Sequence, residues 1–209
     1  MRNILSFTLA PWISAIAGPL WAQSSDQRIC AGNDRTPEYR IDACTRAITS
    51  GDLQRQGLAN AYYNRGVEWS LLRDFDRAIS DYSEAIQLNP QYAGAYKNRG
   101  SAWDEKGDHD RAIADLNDAI RINPRYVDAY IDRGVTLRNK REYDRAISDF
   151  SEAIRIDAQS ALAYYNRGAV YHAMDDRTSA MNDYETALRI DPGHSGALKA
   201  RQQLLEKMQ

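Results

Sequence analysis

The chain has 209 residues, of which 27% are charged and 43% hydrophobic, with a formal net charge of -2. Those values suit a soluble folded protein and exclude the strongly basic footprint of a nucleic-acid binder. Beyond the first two dozen residues no apolar run is long enough to span a bilayer.

Residues 1–22 have the form of a secretory signal peptide. Arg2 supplies a positive start, Ile4–Ala17 carries no charge, and Gly18-Pro19 breaks the run. Cleavage is expected after Ala22, with Ala17 as the alternative site, and no membrane insertion is expected once the segment is removed. Export places the protein in the periplasm or another oxidising compartment, where a disulfide persists.

Segment 23–58 holds both cysteines, Cys30 and Cys44. Cys30 lies in the turn-rich run Cys30–Arg35, and Cys44 lies in Ile41–Ile48. That second run matches Ile79–Ile86 position for position, so residues from about Pro37 to Ser50 read as the second helix of a repeat without its first. Cys44 falls where Tyr82 stands, on the buried side. A Cys30–Cys44 bridge is expected to tie the preceding loop onto this orphan helix. A redox or metal pair is the rival reading, but the spacing lacks the C-x-x-C form and no histidine lies nearby.

From Ala59 the chain repeats every 34 residues, in units 59–92, 93–126, 127–160 and 161–194. In the first unit helix A is predicted over roughly Ala59–Leu72 and helix B over roughly Asp76–Leu88. Asn89-Pro90 stops helix B because proline cannot continue a helix. Asp157-Ala158 in the third unit reads as a weaker stop. Asp76, Asp110 and Asp144, and Thr178 in the fourth unit, are the expected caps of helix B. Segment 195–209 reads as a terminal capping helix, which a solenoid needs to cover its last apolar face.

Two series never lose one another. Arg65, Arg99, Arg133 and Arg167 recur at the seventh position, and Asp81, Asp115, Asp149 and Asp183 at the twenty-third. They predict an Arg–Asp pair in each unit, joining helix A to helix B or to the next repeat, because a planar guanidinium meets a carboxylate through two bonds. An arginine ladder for an acidic ligand is the alternative.

The small residues at the eighth position (Gly66, Gly100, Gly134, Gly168), twentieth (Ala78, Ala112, Ala146, Ala180) and twenty-seventh (Ala85, Ala119, Ala153, Ala187) resemble those of the tetratricopeptide repeat family. Prolines Pro90, Pro124 and Pro192 fall at the family's thirty-second position. The wording of the repeats and the cysteine-containing leader are similar to exported bacterial members. The resemblance implies an all-α fold, a right-handed α-solenoid of helix-turn-helix units. It also implies a concave groove lined by helix A that binds a protein or peptide partner. In this chain the implied lining includes Tyr63, Val67, Lys97, Ser101, Ile131, Val135, Arg138, Tyr165 and His172. Each could equally seal adjacent helices. Asp128 and Asp132 stand where the family's clamp for acidic chaperone tails would need basic residues, so no such clamp is expected.

No catalytic signature, phosphate loop or cofactor motif is present in the sequence. His109 takes the packing place of Phe75 and Tyr143, and His194 lies at a repeat junction. The expected function is a non-catalytic adaptor or scaffold in the cell envelope. The alternative is an accessory or regulatory subunit of an exported enzyme such as a cell-wall hydrolase.

Overall fold

The computed structural model describes residues 24–32 and 35–206. The signal-like segment 1–22 lies outside the described residues. Among the described residues there are eleven helices and no strand. No helix there is long and apolar enough to cross a membrane.

Helices α1 (Ser25–Ala31) and α2 (Pro37–Thr49) open the chain. Four helix pairs follow: α3 (Arg55–Leu71) with α4 (Phe75–Leu88), α5 (Ala93–Glu105) with α6 (His109–Ile122), α7 (Val127–Asn139) with α8 (Tyr143–Ile156), and α9 (Ala161–Ala173) with α10 (Arg177–Ile190). Helix α11 (Ser195–Glu206) is the last helix among the described residues. Each helix packs on its sequence neighbours, and α3, α5, α7 and α9 also touch one another in turn. The result is a right-handed α-solenoid whose inner wall is built from the first helix of each pair.

Close approach within a pair depends on the glycine at the eighth position. A Cβ on Gly134 would lie 2.7 Å from the Phe150 ring, so that ring fills the space a side chain would need. Around it Ile131, Leu137, Ala146, Phe150, Ala153, Ala163 and Val170 form a continuous core across α7, α8 and α9.

The helix ends depart from the sequence reading in three places. The caps of the second helices are Asp74, Asp108 and Asp176, whose carboxylates accept from the backbone N–H of Arg77, Arg111 and Ser179. Asp76 and Asp110 sit inside the first turn and instead pair with Lys106 and Lys140 of the next repeat. The capping carboxylate must precede the first free amides, and only the residue two places earlier does so. The third pair has Glu142 at this place, with no side-chain cap.

The stops are also set differently. Asn89, Asn123, Asp157 and Asp191 each leave the helix in extended backbone. Each side-chain oxygen accepts from the N–H two residues on, at 2.9–3.2 Å. This Asx turn is shared by all four units. It ends α8 at the same register although Ala158 replaces the proline.

The third departure is at the start of the chain. Cys30 lies on a helix rather than in a turn, and α2 is not an orphan. Helix α1 packs on both α2 and α3, in the place a first helix takes in the other units. Ser24 caps it through a reciprocal pair with Gln27. Cys30 and Cys44 are joined in a disulfide, both buried, at a Cα separation of 4.7 Å.

Candidate functional site in the concave groove

The inner wall carries two adjoining pockets. The first, about 240 Å³, lies between the first two pairs. Val67, Ser70 and Leu71 from α3 form one side, Lys97, Asn98 and Ser101 from α5 the other, with Phe75 and Tyr82 of α4 behind. The second, about 160 Å³, is bounded by Ser101, Asp104 and Glu105 of α5 and by Asp132, Val135 and Thr136 of α7. Ser101 and Glu105 belong to both.

These helices bring together Val67, Lys97, Ser101 and Val135 of the expected groove residues. The same face adds Leu71 and Glu105, which sequence reasoning passed over. Leu71 is 63% exposed, the most open large apolar side chain among the described residues. Its spacing of four from Val67, one turn along the same face, is the signal that could have found it.

Electrostatically the first pocket is apolar with one cation, Lys97, and one carboxylate, Glu105, at its edge. Lys97 Nζ lies 3.2 Å from Asp132 Oδ2, and Ser101 donates to the same oxygen at 2.7 Å. Burial works against the Lys97 ammonium, but the Asp132 charge and hydrogen bond together outweigh it and hold its pKa above the usual lysine value. The second pocket is rimmed by the carboxylates Asp104, Glu105 and Asp132, of which Glu105 accepts from Arg73 at 3.0 Å. Asp104 is also met by His109 Nδ1 at 2.7 Å and by the Asn139 amide at 3.4 Å.

Other expected groove residues serve the junctions between repeats. Tyr63 stacks on Tyr92 with ring centroids 4.8 Å apart and accepts from the Asn98 amide. Ile131 is 4% exposed, inside the core rather than on the groove floor. Tyr165 packs on His194 at the junction with α11. Arg138 donates to Asn166 across α7 and α9. At the fifth position of the repeat a side chain points at the seam with the next pair, so large apolar groups there are covered.

His172 is near one group that could matter chemically, the Tyr184 hydroxyl at 3.4 Å. Burial pushes the Tyr184 phenol up to about 12, so it stays protonated at ordinary pH. Among the described residues no three histidine, cysteine or acidic side chains are grouped to hold a metal ion.

The Arg and Asp series form four forks. In each, arginine Nε donates to Oδ2 of the aspartate and Nη2 to Oδ1, at 2.6–2.8 Å. The remaining Nη1 reaches back to the preceding unit, to Thr45, Ser83, Asn117 and Ser151 respectively. Each arginine therefore fastens three helices. All four guanidinium groups are turned inward and engaged.

Residues 41–208 match the family model described as the ETO1 C-terminal domain. The chain belongs to that family of tetratricopeptide repeat proteins. No curated protein matches it closely enough to count as a relative. Among solved structures the fold is similar to YrrB, described as a TPR protein with an unusual peptide-binding site. The match has a TM-score of 0.64 and 23% identity, covering 79% of this chain and 84% of that one. TTC0263 of Thermus thermophilus, a thermophilic TPR protein, gives a TM-score of 0.65 at 20% identity, over 82% of this chain and 90% of that one. The first TPR of Spaghetti (RPAP3), solved with an HSP90 peptide, gives 0.54 at 23% identity, over 56% of this chain and 94% of that one. At these identities the tetratricopeptide repeat likeness is one of fold.

Proposed function

We propose that this protein is a non-catalytic interaction module of the cell envelope, an adaptor or scaffold that holds a segment of a partner protein in its concave groove. The observation that carries the reading is the pair of adjoining pockets, with an apolar wall at Val67, Leu71 and Phe75 and an acidic rim at Asp104, Glu105 and Asp132. A pocket so built takes an apolar side chain next to a basic one on an extended peptide. It disfavours an acidic tail, because the cations at its edge, Lys97 and Arg73, are already paired with Asp132 and Glu105. Peptide binding by YrrB and by the Spaghetti repeat supports the use of such a groove. The exported location is supported by the disulfide and by the apolar character of residues 4–17.

The test is site-specific photo-crosslinking from Leu71 and from Val135 in the cells that make the protein. Leu71→Asp, at an exposed site, keeps the fold and should abolish capture of the partner seen with the native chain. Capture should also weaken with added salt, since the rim is charged. Equal capture by the native chain and Leu71→Asp would sink the groove reading. Tyr63, Ile131 and Tyr165 are unsuitable test sites because they seal the repeats.

A further inference from the structure

The arginine series has a fifth member. Arg201 on α11 stands 34 residues after Arg167. Around it α11 keeps the pattern of a first helix. Ala197 is fully buried, like Ala95, Ala129 and Ala163, and Leu204 is buried in the place of Val170. In the four forks Nε donates to an aspartate Oδ2 at 2.8 Å. In Arg201 that same atom is buried and has no hydrogen-bond partner. A buried donor left unmade is costly, and a guanidinium donor more so.

The two apolar positions flanking the arginine tell the same story. Position four of the repeat is Tyr96 in α5 and Tyr130 in α7, which pack on the cores shared with α6 and α8. Position eleven is Leu137 and Tyr171, which pack likewise against α8 and α10. On α11 these positions are Leu198 and Leu205, and they are 42% and 45% exposed. Leu198, Arg201 and Leu205 form one stripe, on the face that a second helix covers in every other pair.

We infer that this end face of the solenoid is a second docking surface, which takes an amphipathic helix of a partner protein carrying a carboxylate between apolar residues. Charge selects the occupant. A second copy paired on α11 about a two-fold axis would set Arg201 against Arg201. Helix α2 of another copy has Ala43 where the other second helices carry the aspartate, so it offers no carboxylate. Gln202 refines the fit. It replaces the glycine that admits a bulky ring elsewhere, so the docking helix presents a small side chain at that point.

The experiment uses the full chain and a labelled, lactam-stabilised peptide of residues 143–156 with Phe150→Ala, followed by fluorescence anisotropy. Saturable binding is expected. Asp149→Asn in the peptide and Arg201→Gln in the protein should each weaken it by at least roughly tenfold, as loss of a charged hydrogen bond does. Both changes together should weaken it no further. Binding that ignores both changes, or none that saturates, overturns the inference. So does binding abolished by Leu71→Asp, which would place the peptide in the groove. Self-association of the native chain that Leu198→Glu removes would make a second copy the occupant and overturn it as well. If Arg201→Gln fails to fold, Asp149→Asn against the native protein decides alone.

Discussion

Arg133 shows what one residue does in this array. Its guanidinium holds Asp149 through two bonds and Asn117 through a third, with the arginine side chain 20% and the aspartate 8% exposed. Removing one partner strands the other charge in a largely dry seam. Asp149→Ala should therefore cost about 3 kcal/mol in urea denaturation, at the low end for a broken buried pair because the arginine keeps some solvent. Replacing both with apolar residues, Arg133→Met with Asp149→Leu, should cost much less than the sum. Equal and additive losses would mean that the residues act independently. The pairing of arginine with aspartate was legible because both recur without exception. The third acceptor was not, because Thr45, Ser83, Asn117 and Ser151 share only an oxygen at one register.

At the scale of elements the informative case is the seam between the N-terminal unit and the first repeat. Arg40 of α2 stands where the later units have alanine, and Glu68 of α3 where they have Ala102, Thr136 and Val170. The two side chains are 13% and 1% exposed, and their charged atoms approach to 2.6 Å. Even so, neither Glu68 oxygen completes a hydrogen bond, and Arg40 Nε is also buried without one. A poorly bonded buried pair is weak evidence of stability. Arg40→Ala and Glu68→Ala should each destabilise the fold by about 3 kcal/mol, whereas the double variant should be near neutral or more stable. A double variant as unstable as the summed singles would refute this. Burial raises the Glu68 pKa above 4.5, against the pull of Arg40. A raised carboxyl contributes stability below the unfolded value that is lost as pH rises through the folded one. The Glu68 contribution, read as the stability difference between the native chain and the double variant, should thus shift against the native chain as pH rises from about 4.5.

For the whole molecule, each unit touches only its neighbours, so stability is local and coupled along one dimension. The first unit is the thinnest. Helix α1 has 7 residues, far below the length at which a helix stands alone in water. The Cys30–Cys44 bond holds it, at a sequence separation of 14. Closing a loop of that size is worth ~3 kcal/mol in the chain-entropy model. Reduction should expose α1 and α2 to hydrogen exchange while α5–α8 stay protected. Loss of protection through all the repeats at once would show that the array unfolds as one unit.

The periodicity by itself determined the helix pairs, their small-residue contacts, the solenoid and the Arg–Asp forks, because each depends on a side chain that every unit must carry. Even the likeness of Pro37–Ser50 to a second helix was readable in this way. The tertiary structure decided what depends on where a helix face points and what lies across from it. It moved the caps two residues earlier and turned Cys30 into part of a short first helix. It put Ile131 into the core and left Leu71 open in the groove. It also separated four arginines that have a carboxylate from a fifth, Arg201, whose buried Nε has none. A repeat pattern states what each position needs, and only packing shows whether a neighbour supplies it.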